Sequence, residues 1–126
     1  MKRYIVLGLA VLAGAAIGAT AINGLNAQGK APGAYAVVDI SEVTDPELMK
    51  QLGPKAGPAA TNAGGHYIVR TDNVVSLDGT APKRFVVIAF DNIDKAKAWY
   101  ASPAQNEVDA IRVKSMKSRV FIVEGM

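Results

Sequence analysis

Residues 83–107 of the chain read KRFVVIAFDNIDKAKAWYASPAQNE. The apolar run at 85–90 predicts a buried β-strand. Asn92 follows it and favours the start of a helix, because its side chain can accept a hydrogen bond from a free helical N–H group. Ser102, with a proline directly after it, predicts the start of a second helix. One strand followed closely by two short helices indicates a compact α+β unit.

The strand predicted at 84–90 is apolar on both of its faces. Side chains alternate along a strand, so three apolar residues point to each side: Phe85, Val87 and Ala89 to one, and Val86, Ile88 and Phe90 to the other. Helices of the same chain would cover one face. The chain is short, so we expect a second copy of the same sheet to cover the other, and the sequence predicts a homodimer.

Further strands are expected at 35–40, 66–70 and 119–123. Residues 74–77 are expected to extend a hairpin, with Asp78 and Gly79 as its turn.

Helices are predicted at 93–100 and 103–114, the latter with Ala104, Val108 and Ile111 on its apolar stripe. An earlier helix begins at Thr44 or Asp45, and Gly-Pro pairs at 53–54 and 57–58 kink or split it. The resulting order, β-α-β-β-α-β with the second helix in two pieces, is the split βαβ arrangement. The predicted fold class is therefore α+β and ferredoxin-like, with a four-stranded antiparallel sheet.

The N-terminal segment resembles a targeting sequence. Lys2 and Arg3 precede an uncharged, apolar run at 4–22, and polar residues and the small Ala27 follow. This layout predicts a signal peptide at 1–27, a linker at 28–33 and one domain at 34–126. A retained membrane anchor is the alternative, because the run is nearly long enough to cross a bilayer. Both interpretations place the domain outside the cytoplasm, in the periplasm or secreted.

Charge and composition exclude several classes of function. Two of the 14 Lys and Arg residues lie in the N-terminal segment, which leaves 12 against 11 Asp and Glu residues, a net charge of +1 instead of +3. The basic balance is therefore no evidence for nucleic-acid binding. The chain has no cysteine and one histidine, His66, so disulfides and multi-histidine metal sites are excluded.

Residues 34–123 resemble the family called domain of unknown function 1330. The shared features are Asp45-Pro46-Glu47, Gly64-Gly65, Arg84, and Ala98-Trp99-Tyr100 followed by Ser102-Pro103. The resemblance implies a dimeric α/β barrel, in which two ferredoxin-like sheets pack face to face. Relatives in that superfamily include cofactor-independent monooxygenases and haem-binding peroxidases and dismutases. The resemblance implies a fold and a dimer but no particular chemistry.

The chain also departs from that family pattern. A histidine often precedes the Gly-Gly pair and an arginine often follows it, whereas Ala63 and His66 occupy these positions. The first helix carries Met49 and Leu52 where aromatic residues are common. A site inherited from the family would be altered at these positions.

Three residues on the strands are candidates for ligand binding. His66 is a general base or axial ligand, or else a structural histidine at the start of a strand. On a strand, His66, Ile68 and Arg70 would share one face. Arg70 and Arg84 would lie on neighbouring strands and could clamp a carboxylate. Alternatively, they form surface ion pairs, for instance with Asp72 or Asp91.

Trp99 and Tyr100 complete the candidate set. They would line a pocket between helix and sheet, or anchor a small core.

Two functions fit these residues. The first is an exported dimeric protein that binds a small organic molecule and acts as a cofactor-independent oxygenase or isomerase, with no cofactor expected. The second is a non-enzymatic dimeric binding or stress-response module. A pocket lined by His66 or Arg70 would favour the first, and a filled core would favour the second.

Overall fold

The computed structural model describes residues 33–126. The predicted signal peptide and nearly all of the predicted linker lie outside this part of the chain. Eight elements follow in order: β1 (Ala34–Val43), α1 (Pro46–Met49), α2 (Gly53–Thr61), β2 (His66–Thr71), β3 (Arg84–Phe90), α3 (Ile93–Ala101), α4 (Pro103–Ser115) and β4 (Met116–Glu124). No helix within residues 33–126 is long and apolar enough to cross a membrane.

The four strands form one antiparallel sheet in the order β2-β3-β1-β4. The two strands at its centre, β1 and β3, are the first and third in the chain, and the two βαβ units are interleaved. This is the ferredoxin-like split βαβ fold that the sequence predicts. Both helical connections are divided in two, the first between α1 and α2 and the second between α3 and α4.

The helices cover one face of the sheet and form the core with it. The buried cluster on this face combines small residues with a few large ones: Ala34, Ala36, Ala60, Val86, Ile88, Phe90, Ala96 and Trp99. Fully burying a large apolar side chain contributes about 1.5–3 kcal/mol. The strand register places Val86 opposite Val38 and Ile88 opposite Ala36, so these side chains point to the helices together.

Asp45 settles where the first helix begins. Its Oδ1 accepts a hydrogen bond of 3.0 Å from the backbone N–H of Leu48, and Pro46 occupies the first turn. The helix ends at Met49, and α2 begins at Gly53 with Pro54 in its first turn. The predicted split is confirmed at the first Gly-Pro pair, whereas Pro58 lies inside α2.

Ser102 joins α3 to α4. Its Oγ accepts from the backbone N–H of Gln105 at 3.2 Å, which caps α4, and donates to the carbonyl of Trp99 at 2.7 Å, at the end of α3. Asn92 caps α3 in the same way, accepting from the N–H of Lys95 at 2.9 Å. The two predicted helix starts are confirmed.

The predicted extension of the hairpin is wrong. Residues 72–83 form a loop and not a strand, and Leu77 is 96% exposed. Gly79 adopts a positive φ of 84°, as a turn requires, and its carbonyl accepts a hydrogen bond from the hydroxyl of Ser76. The hydrogen bond between Ser76 and Gly79 therefore closes a local turn within the loop. Its apolar residues have no strand to pair with, since the β2–β3 ladder begins at Thr71 and Phe85.

Candidate functional site

A cavity of about 360 Å³ lies between the helices and the sheet and is partly open to solvent. We call it the helix–sheet cavity. Its floor is apolar and comes from three strands, with Val38 and Ile40 from β1, Val86 and Ile88 from β3, and Val120 from β4. Helical residues such as Leu52 and Val108 form its walls. An apolar body of a ligand would be held by these surfaces.

The polar lining of the helix–sheet cavity is cationic. It includes three arginines, Arg70, Arg84 and Arg112, together with Lys50. Within the described part of the chain, no Asp or Glu side chain belongs to the lining.

A β-bulge in β2 places Arg70 on the cavity side of the sheet, where it lines the cavity and remains exposed to solvent. Tyr67 lies opposite Ile88 and Arg70 opposite Val86, and the register shifts between Tyr67 and Val69. Residues directly opposite in an antiparallel pair point to the same face, so both side chains point toward the helices. The guanidinium carbon of Arg70 is 4.9 Å from the centre of the Tyr67 ring, within range of a cation–π interaction.

Tyr67 is held by the helical layer. Its hydroxyl donates to the carbonyl of Ala56 at 3.1 Å. Burial raises the pKa of the Tyr67 phenol above its usual value, and the charge of Arg70 acts in the opposite direction. The phenol is therefore a neutral donor at physiological pH.

Arg84 lines the helix–sheet cavity and also forms an ion pair. Its Nη1 lies 2.6 Å from Oδ1 of Asp72 in the β2–β3 loop. The structure thus contains one of the two ion pairs that the sequence suggested, and it leaves part of the guanidinium beside the cavity.

Arg112 is the lining residue that sequence reasoning missed. Its three nitrogens donate to Asp109 (Nε, 3.1 Å), Ser118 (Nη1, 2.8 Å) and Tyr100 (Nη2, 3.3 Å). The predicted stripe of α4 is rotated, because its inner face carries Gln105, Val108, Arg112 and Ser115, whereas Ala104 is exposed. The polar residues Gln105, Asp109 and Arg112 follow one another at spacings of four and three residues. This helical repeat was the signal that could have placed Arg112 on the inner face of α4.

Trp99 belongs to the core and also lines the cavity. It is 2% exposed, and its ring centre lies 5.4 Å from that of Phe90. Its Nε1 is buried without a hydrogen-bond partner among residues 33–126. An unpaired buried donor costs about 1–3 kcal/mol, and this atom has almost no surface that a molecule in the cavity could reach. Tyr100 does not line the cavity but packs against Trp99, with 5.7 Å between ring centres.

His66 lies on the other side of the sheet. It is exposed and opposite Ala89, so the bulge places His66 and Arg70 on opposite faces rather than on the same one. The expectation of a shared face is wrong because it assumed a regular strand. Within residues 33–126, no group of three His, Cys, Asp or Glu side chains could hold a metal ion.

Solved structures with the same fold come from several bacteria. A protein of unknown function from Rhodopseudomonas palustris aligns with 85% of this chain and 92% of its own, at 12% identity and a TM-score of 0.61. A dimeric ferredoxin-like protein of unknown function from Thermobifida fusca covers 75% of this chain and 92% of its own, at 16% identity and a TM-score of 0.57. SnoaB, a cofactor-independent oxygenase from Streptomyces nogalater, covers 76% and 95% respectively, at 9% identity and a TM-score of 0.55. At these identities the likeness shows the fold alone.

Sequence comparison identifies the family. No curated protein matches the chain. The family described as domain of unknown function (DUF1330) matches residues 33–126, and the chain belongs to that family.

Proposed function

We propose that this protein binds a small organic molecule in the helix–sheet cavity. The observation that carries the proposal is the cavity itself, at about 360 Å³. Ligand pockets of proteins measure about 300–1,000 Å³ and combine apolar walls with a few polar groups. The lining has this composition, with Tyr67, Arg70 and Arg84 as polar groups beside aliphatic walls. A purely structural module would gain more stability from a filled core.

The proposal includes a homodimer formed through the sheet face opposite the helices, which we call the open sheet face. Its central row is Val69, Val87, Val37 and Phe121, four apolar residues side by side on the four strands. In the single chain Val69, Phe121 and Val123 are 36%, 40% and 43% exposed, whereas Val37 in the middle of the row is already buried by its neighbours, at 7%. Contiguous exposed apolar surface of this kind marks an interface. A second copy is the favoured occupant, because related folds such as the Thermobifida fusca protein are described as dimeric.

Catalysis is a second and more specific part of the proposal. The fold is shared with SnoaB, which is described as a cofactor-independent oxygenase. A comparable oxygenase or isomerase reaction here would take place between Trp99, Tyr67 and Arg70. The non-enzymatic alternative uses the same cavity for binding only.

Export is a further part of the proposal and rests on the residues that precede the domain. The positive start, the apolar run and the small residue at position 27 favour transport out of the cytoplasm followed by cleavage. We expect the mature protein to begin near residue 28. N-terminal sequencing of the periplasmic fraction tests this, and an intact Met1 would contradict cleavage.

A cavity-filling substitution tests the binding proposal. Ala56 lines the cavity from α2, and Ala56→Phe would occupy its volume. Ala98→Phe on the exposed side of α3 is the matched control. After incubation with a small-molecule extract of the source cells, native mass spectrometry should show a bound molecule on the wild-type dimer and on the control but not on Ala56→Phe. A wild-type protein that binds nothing, or an Ala56→Phe variant that binds equally well, would refute the proposal.

A further inference from the structure

The cations around the helix–sheet cavity are not equally available to a ligand. Lys50 pairs with Glu47 at 3.0 Å, Arg84 with Asp72 at 2.6 Å and Arg112 with Asp109 at 3.1 Å. Each of these three charges is therefore already balanced by a carboxylate outside the lining.

Arg70 is the exception. It forms no ion pair with any carboxylate in the described part of the chain, and its guanidinium lies against the ring of Tyr67 instead. Stacking on an aromatic ring restricts the side chain and leaves its N–H donors, which point along the plane of the guanidinium, able to bind another group. The cavity thus has one uncompensated positive charge.

Arg84 lies close enough to Arg70 for both side chains to bind the same group of a ligand. Arg70 lies opposite Val86, and Arg84 is two residues from Val86 along β3, so the two arginines are diagonal neighbours on the same face. Diagonal pairs are about 7–8 Å apart at the backbone, which long side chains readily span. Two guanidinium groups can therefore approach one oxyanion.

From this arrangement we infer that the ligand is an organic monocarboxylate whose apolar body lies on the aliphatic floor and whose carboxylate binds Arg70. A single uncompensated charge suits a monoanion, because the second charge of a phosphate would find no cation in the described lining that is free of a carboxylate. The apolar floor of Val38, Ile40, Val86 and Val120 suits the remainder of the molecule. This inference rests on the proposed function and specifies its class of ligand.

Matched acids and amides test it. Octanoate and octanamide, and cyclohexanecarboxylate and cyclohexanecarboxamide, have nearly the same shape but differ in charge. Isothermal titration calorimetry gives the affinities, and the fluorescence of Trp99, the only tryptophan in the chain, reports on the cavity. We expect each acid to bind about 10-fold to 100-fold more tightly than its amide, the usual contribution of a hydrogen bond to a charged group.

Substitution of Arg70 should remove this preference. In Arg70→Gln the acids should lose about 10-fold or more in affinity while the amides keep theirs, and Arg70→Lys should restore part of the loss. Lys97→Gln, an exposed lysine of α3 outside the lining, removes the same charge and should leave both affinities unchanged. Circular dichroism confirms that each variant is folded.

The outcomes separate the two proposals. Acids and amides that bind equally, or an acid preference that survives in Arg70→Gln, would refute the monocarboxylate while small-molecule binding stands. If neither member of either pair binds and the cell extract also yields no bound molecule, the proposed function fails together with this inference.

Discussion

Gly65 shows how one residue fixes the contact between the helical layer and the sheet. A Cβ atom at this position would lie 2.8 Å from Cγ2 of Ile88 and 2.9 Å from the Phe90 ring, closer than real Cβ atoms come. Both neighbours are core residues and cannot move freely. We expect Gly65→Ala to lower the free energy of unfolding by about 1–3 kcal/mol, the usual cost of overpacking.

Gly57 provides a matched control for this prediction. It lies in the interior of α2, and nothing stands within 4 Å of the Cβ that alanine would add. Pro58 follows Gly57 and its ring crowds a Cβ on the preceding residue, so the helix propensity gained in Gly57→Ala should be largely offset and the free energy of unfolding should stay within about 0.5 kcal/mol of the wild type. Urea denaturation followed by circular dichroism measures both changes. Two alanine variants with the same stability would show that contact at Gly65 is not what requires glycine there.

The structure brings some of the residues singled out from the sequence to the cavity and leaves others away from it. The strand pattern alone brings Arg70 and Arg84 to neighbouring strands, and the structure places both at the cavity with Trp99. His66 could not be placed, because the bulge after Tyr67 arises from pairing with β3 and leaves no local signal. Arg112 was missed because a charged residue on a helix is ordinarily solvent-exposed, whereas here it is held by three partners.

At the scale of elements, the joint between α3 and α4 depends on the hydroxyl of Ser102. Ser102→Ala removes both the cap of α4 and the donation to the Trp99 carbonyl. We expect a loss of about 1 kcal/mol in the free energy of unfolding, as for other capping residues. Ser102→Asp restores the acceptor but not the donor, so its loss should be smaller. Thermal unfolding compares them, and an alanine variant as stable as the wild type would contradict a capping role.

The helices and strands with clear local signals were predicted well, and those decided by pairing were not. β3 matches its prediction, and α3 and α4 begin where Asn92 and Ser102 indicate, because caps and apolar runs act locally. β4 extends further than the predicted 119–123 because β1 pairs with it along most of its length. The segment 74–77 has the composition of a strand but no partner strand opposite it.

At the scale of the whole molecule, the sheet separates two different surfaces. One face meets the helices and forms the cavity, and the other has a continuous apolar row across all four strands. The alternation within β3 was enough to predict that both faces need cover. The sequence suggested a pocket between helix and sheet as one of two alternatives, but its volume could not be predicted, since that volume depends on how the two halves of each divided helix pack on the sheet.

The open sheet face gives the prediction for the intact protein. Val87 lies in the central row, opposite Val37 on one side and Val69 on the other. A carboxylate there would be buried without a partner in a face-to-face dimer, at a cost of several kcal/mol, but would remain near solvent in a single chain. We therefore expect Val87→Asp to convert the dimer into a folded monomer.

Val113→Asp, on α4 and 64% exposed, should leave the dimer intact. Sedimentation velocity gives the subunit number and circular dichroism the folded state. A wild-type monomer, or a Val87→Asp variant that still forms dimers, would exclude the open sheet face as the interface, and the covering of that face would then need a different explanation.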